Sequence, residues 1–202
     1  MPLNMPVPPS GIPETVRAKL HSLAGESRFS TKALRLAEQD QLEVTTPHQV
    51  FTLGLDAIES GAGLEAAQPV GWRYLITGGG EVIASAETAQ AADGSPEPAQ
   101  FTEGPFVGAT ATAVRAARAL PQLAKGAFEL RLLRIPALYL MALWLHSPAA
   151  DLLVPLAPSP IGKEGQIVPP AQLFGDLARQ AEARSHAAGA HRQADNGEPL
   201  TP

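Results

Sequence analysis

His146, Ser147 and Asp151 stand inside the most apolar run of this 202-residue chain, "IPALYLMALWLHSPAADLLVPLAP", Ile135 to Pro158. Imidazole is the side chain whose charge changes near neutral pH, and one that closes a buried strand beside a hydroxyl could serve as acid, base or ligand at a cavity mouth. His146 is therefore the candidate catalytic residue; Asp151, Asp56, Glu59 and Arg73 are the other ionisable groups nearest the apolar segments. The preferred reading is plainer: a histidine at a strand end is a hydrogen-bonded edge residue. Trp72, Tyr74, Tyr139 and Trp144 form a candidate ligand pocket if adjacent strands bring them together. The preferred reading makes them core anchors. Between Pro105 and Ile135 the charged residues are Arg115, Arg118, Lys125, Glu129, Arg131 and Arg134, five basic against one acidic. Arg115, Arg118, Arg131 and Arg134 are thus a candidate anion-binding face. With no glycine nest or interleaved aromatic beside them, solvated helix and strand faces are preferred.

Other chemistries are excluded or weakly marked. The chain has no cysteine, which removes disulfides, thiolate catalysis, Cys-ligated zinc and iron–sulfur clusters. His186 and His191 are five residues apart, a poor helical face for a shared metal even with Asp195, so neither a metal nor a cofactor is expected. "TGGG" at 77–80 lacks the spacing of a dinucleotide or P-loop motif and is followed by Glu81, so it reads as a turn. No G-x-S-x-G or H-E-x-x-H pattern occurs. Fifteen basic against twenty acidic residues give a formal charge of −5, which makes nucleic acid an unlikely partner. The run from Ile135 to Leu145 is eleven residues, short of the roughly 20 that a helix needs to cross a membrane. "MPLNMPVPPSG" has neither the basic nor the apolar region of a secretory signal, and a cytoplasmic protein is expected.

The elements that must position these residues follow from periodicity and punctuation. Residues 1–9 read as a disordered proline-rich arm. Ile12, Val16, Leu20 and Leu23 share one face of a short helix with Pro13 in its first turn and Gly25 at its end. Ser30 or Thr31 caps a second, carrying Ala33, Leu34 and Ala37. "QVFTLGL" reads as a strand over 49–55 started by Pro47. "VGWRYLITGGGEVIASAET" reads as a hairpin with Trp72, Tyr74 and Ile76 on the same face as Val82, Ala84 and Ala86. Residues 88–102 read as a long loop, either a lid or a bland insertion. Pro105 opens a helix to about residue 120 with Val107, Ala111, Val114 and Ala117 inward, and Arg115 and Arg118 outward. "FELRLLRI", 139–146 and 152–156 read as three strands, the last at an edge because Pro155 cannot donate to a ladder. Leu173, Phe174, Leu177 and Ala181 make an amphipathic stripe, and the tail from 182 to 202 reads as disordered.

The expected fold is α+β, an antiparallel sheet of about five or six strands with a helix packed on one face, short N-terminal helices and disordered ends, forming a single domain over 10–181. The expected function is a non-enzymatic protein-binding or accessory module whose partner is another protein or a second copy of the chain. The alternative is a small-molecule-binding or hydrolytic domain with a pocket near His146 and Trp144. A nucleic-acid binder ranks last on charge.

Overall fold

Phe128–Ile135 carries apolar side chains on both faces, and such a strand must be covered from both sides. The structure, a computed structural model that describes residues 3–26, 28–89, 99–120, 128–180 and 182, meets this requirement with three layers. The strands are β1 (Leu3–Asn4), β2 (Leu42–Thr52), β3 (Gln68–Gly78), β4 (Glu81–Ala89), β5 (Gln100–Thr102), β6 (Phe128–Ile135), β7 (Leu140–His146) and β8 (Asp151–Pro155). The helices are α1 (Ile12–Gly25), α2 (Lys32–Leu36), α3 (Leu55–Glu59), α4 (Pro105–Ala119) and α5 (170–180). One sheet runs β5-β4-β3-β2-β6-β7-β8, with β1 beside the start of β6. Two antiparallel meanders, β2-β3-β4 and β6-β7-β8, therefore meet at a parallel pair, Gln49–Thr52 against Arg131–Arg134.

The period of two divides β6 between the outer layers. Leu130 and Leu132 point with Leu143, Leu145 and Val154 to Ala113, Val114 and Ala117 of α4. Leu133 and Ile135 point the other way, with Trp144 and Leu153, to Ile58 of α3 and to Leu173 and Leu177 of α5. Over the other half of that second face, Val16, Leu20 and Ala24 of α1 and Leu34 of α2 cover Trp72, Tyr74, Ile76, Ala84 and Ala86. The α2 N-terminus is capped from a distance: the Glu103 carboxylate accepts from Lys32 N at 3.1 Å and Ala33 N at 2.9 Å, whereas Thr31 makes no side-chain cap.

The α+β class holds, but eight strands replace five or six and the sheet is mixed, because the connection through α4 brings β6 in parallel to β2. Helices lie on both faces rather than one, since α5 as well as the N-terminal helices covers the second. The arm over 1–9 was expected to be disordered; Leu3–Asn4 pairs with Phe128–Glu129, and Leu3 and Met5 pack on the α4 side of the core. Pro47 does not start β2. It sits inside the strand at a register shift between Thr45 and His48, where Thr46 takes a φ of 50°, so the ladder skips the missing N–H. Leu55 opens α3 instead of ending that strand. In the hairpin, a shift between Ile76 and Thr77 sets Ala84 and Ala86 beside Ile76 and Tyr74 but leaves Val82 on the opposite face, opposite Thr77. The ends of the expected 88–102 loop belong to β4 and β5. In α4, Thr110 and Ala113 are buried and Ala111 only half-buried. Pro155 does lie on an edge strand. Residues 90–98, 121–127, 181 and 183–202, with His186, His191 and Asp195, lie outside the described residues. Among the described residues no helix is long and apolar enough to cross a membrane.

Gly71 marks where the hairpin is tightest. Its φ is +158°, and a Cβ there would stand 1.9 Å from the Thr88 carbonyl oxygen of the paired strand. Gly71→Ala should lower stability by about 2–3 kcal/mol, because backbone must move against backbone. Gly108→Ala, at an exposed position of α4 with open space around it, should raise stability by about 0.5–1 kcal/mol. Urea unfolding of the two variants checks the contrast, and a neutral Gly71→Ala would refute the tight approach.

Candidate functional site

The β7–β8 register sets His146 opposite Asp151. Asp151 Oδ1 accepts from Trp144 Nε1 at 2.7 Å and lies 2.7 Å from His146 Nδ1. A carboxylate only accepts, so the shared proton is assigned to Nδ1, and in the neutral ring Nε2 keeps its lone pair. One strand away, the Arg131 guanidinium lies 4.9 Å from the Trp144 ring centroid and 5.1 Å from that of Phe51, while its Nε donates to Glu129 at 2.7 Å. This arrangement can exchange a proton with solvent, since about a third of the His146 side chain is exposed (32%). It lacks an activated nucleophile among the described contacts. The Ser147 hydroxyl donates to Ala150 O and accepts from Ala150 N, closing the turn between the strands.

The aromatic candidates do not converge. Trp72 and Tyr74 pack under α1, Trp144 under α5 in a separate cluster, and Tyr139 is 79% exposed at a left-handed φ of 53°. The basic candidates separate as well. Arg115 and Arg118 are on the exposed side of α4; Arg131 and Arg134, three residues apart on a strand, lie on opposite faces. Arg131 is held by Glu129 on one face and Arg134 by Glu87 on the other.

The densest constellation of polar groups lies under α4, and of it only Arg73 and Arg134 are candidates in the sequence. Arg73 is 2% exposed. Its Nη1 donates to Thr110 Oγ1 and its Nη2 to Ser85 Oγ, each at 3.2 Å, and its Nε lies 3.2 Å from Glu87 Oε1. The second Glu87 oxygen accepts from Arg134 Nη2. Ser85 Oγ is 2.9 Å from Thr102 Oγ1 of β5. His48 pairs with Arg73 across β2 and β3 and is fully buried. Its Nδ1 donates to the Thr46 carbonyl at 2.8 Å, leaving Nε2 without a partner. Burial pushes the His48 imidazole down to about 3; the Arg73 charge adds to this, the Thr46 carbonyl opposes it, and Arg134 contributes least. His48 is therefore neutral at physiological pH, beside two guanidiniums that share one carboxylate.

Three concavities are relevant. A half-open cleft of about 280 Å³ lies beside Arg134, Glu87, Thr88 and Gln100. A trough of about 560 Å³ separates α3 from α5 and reaches Asp151, but neither His146 nor Trp144 lines it. The largest, about 720 Å³, runs between α4 and the segment after β8. Among the described residues no group of three or more His, Asp or Glu is placed to hold a metal ion.

His48 gives stability a pH dependence of definite sign. Below the ordinary imidazole value of 6.5 the unfolded chain binds a proton that the folded chain refuses until about pH 3, so stability falls as pH drops through that window. The loss in urea-unfolding free energy between pH 6.5 and about pH 4 should be larger for the native chain than for His48→Gln; equal losses would remove His48 as the cause. Near His146, Asp151→Ala should lower stability by about 2 kcal/mol, because the indole N–H of the 5% exposed Trp144 loses its acceptor, whereas His146→Gln should cost about 1 kcal/mol. Thermal melts that rank the two variants in the opposite order would give His146 the larger structural part. Comparison with protein-family models, with curated proteins and with solved structures found no match.

Proposed function

We propose that this protein is a non-enzymatic binding module whose protein partner seats an apolar segment in the groove beside α4. The observation that carries this reading is the groove itself. Pro105, Ala109, Thr112, Ala113 and Ala116 make its helical wall, and Pro155 to Pro158 its opposite lip. Small side chains on the helix leave a trough where larger ones would fill the contact, and a concave apolar surface of this size suits a partner side chain. Both walls are held in place without a ligand. Leu156 N donates to Met141 O at 2.8 Å and Gly165 N to Pro155 O at 2.9 Å, while Thr110 fastens α4 to Arg73. A preformed groove loses little entropy on binding. The reading goes with a cytoplasmic site of action for a chain that has no cysteine.

A second reading, a small-molecule or hydrolytic site near His146, draws on the trough that reaches Asp151. It ranks lower because the neighbouring Ser147 hydroxyl is committed to the turn.

Ala116 is exposed on the groove wall, so Ala116→Trp fills the trough without crowding the core. Crosslinking in cell extract should capture a partner with the native chain and with Arg179→Ala, a change at an exposed position of α5, and lose it with Ala116→Trp at an unchanged melting temperature. Capture that survives Ala116→Trp would reject the groove. A sedimentation coefficient that rises with concentration, and stops rising in Ala116→Trp, would identify the partner as a second copy.

A further inference from the structure

The geometry points to a second, separate site: the half-open cleft beside Arg134 binds a short-chain monocarboxylate, whose anionic head meets the Arg134 guanidinium and whose apolar body lies on Val50, Val70 and Ala89. This goes beyond the docking groove, which lies between α4 and the segment after β8 and shares none of these residues.

Charge is the first support. Arg73 and Arg134 both contact Glu87, and no other carboxylate pairs with either among the described residues, so the pair of cations is one negative charge short. The buried histidine beside them cannot supply it: among the described residues the His48 ring bonds the Thr46 carbonyl through Nδ1, and Nε2 can at most accept. Arg134 keeps about a quarter of its side chain exposed (26%), so an anion can reach the uncompensated charge from solvent.

An unused hydrogen-bonding group is the second. Arg134 Nε is buried with no acceptor although Arg134 lines the cleft. Buried polar groups are ordinarily paired, so an unpaired guanidinium N–H at the wall of a small cleft indicates a missing partner. An acceptor-only head answers the Arg134 Nε–H. Shape is the third support. At about 280 Å³ the cavity is just under the roughly 300–1,000 Å³ of drug-sized ligand pockets, which suits a short aliphatic chain better than a nucleotide. Glu87 also lines it, and would repel a second negative charge, so a dianion such as phosphate fits less well than a monoanion.

The test is thermal denaturation of the full chain, with calorimetric titration, against sodium butyrate, sodium hexanoate, 1-hexanol and inorganic phosphate. Butyrate or hexanoate should raise the melting temperature in proportion to the logarithm of concentration, with hexanol and phosphate at least about tenfold weaker. Arg134→Gln should weaken carboxylate binding by about tenfold or more. Because Arg134→Gln also disturbs Glu87, Val70→Trp serves as a second variant: Val70 is 37% exposed at the cavity rim, so the indole should occlude the space at an unchanged melting temperature and abolish the carboxylate shift. No carboxylate shift in the native chain, an equal shift in Val70→Trp, or equal binding of phosphate would each overturn the assignment.

Discussion

The buried guanidinium of Arg73 is the interaction on which the rest of this structure depends. A cation that is 2% exposed must find its partners inside the fold, and each partner fixes a different element. Thr110 fixes the height of α4 over the sheet, Ser85 and Glu87 fix the register of β4, and Glu87 in turn holds Arg134 of β6. The two meanders are thus joined by charge as well as by the parallel ladder between β2 and β6. Such a network does not have to favour stability over an apolar core of the same volume; its stronger effect is on which arrangement is adopted, since any slip leaves a guanidinium unpaired. In this chain the slip in question is one residue in the hairpin, and it would set Arg73 opposite Ala86 instead of Glu87.

Two irregularities make that pairing. Counting outward from the Gly79–Gly80 turn, an unbroken ladder brings Ile76 to Ile83 and Arg73 to Ala86; the shift between Ile76 and Thr77 moves the pairing by one and brings Arg73 to Glu87. On the other side of β3, the shift around Pro47 sets His48 beside Arg73. Bulges re-aim side chains, and both bulges here aim polar ones into the same enclosed layer.

This explains why the sequence was readable in some places and not in others. The apolar runs announced β6, β7 and β8 almost to the residue, and Pro105 and Pro13 marked the starts of α4 and α1. What alternation cannot encode is a break in alternation. Pro47 reads as the start of a strand because a proline inside one is disfavoured, and only the fold shows that the bulge at Thr46 removes the conflict. Leu3 and Met5, two apolar residues in a proline-rich arm, carried too weak a pattern to announce a strand that needs the β6 edge to exist. The candidate residues divide on the same principle. His146 was found because its type and position at a strand end are local features. The partnership of His48, Arg73, Glu87 and Arg134 spans almost ninety positions of sequence and rests on two register shifts, so no local spacing signals it.

The same reasoning ranks the two charged clusters. Around Asp151 every buried polar atom has a partner: the indole N–H, the imidazole Nδ1 and the turn hydroxyl are each accounted for within β7, β8 and the turn that joins them. That cluster is complete as it stands, and a complete cluster is what a strand end requires. Under α4 the situation is reversed. Arg134 Nε and His48 Nε2 are buried without partners around a surplus positive charge, although the surrounding sheet is otherwise tightly paired. Arg134 shares Glu87 with Arg73 and still carries a buried Nε–H without an acceptor at the wall of a cleft, which places the incompleteness where a small ligand can relieve it.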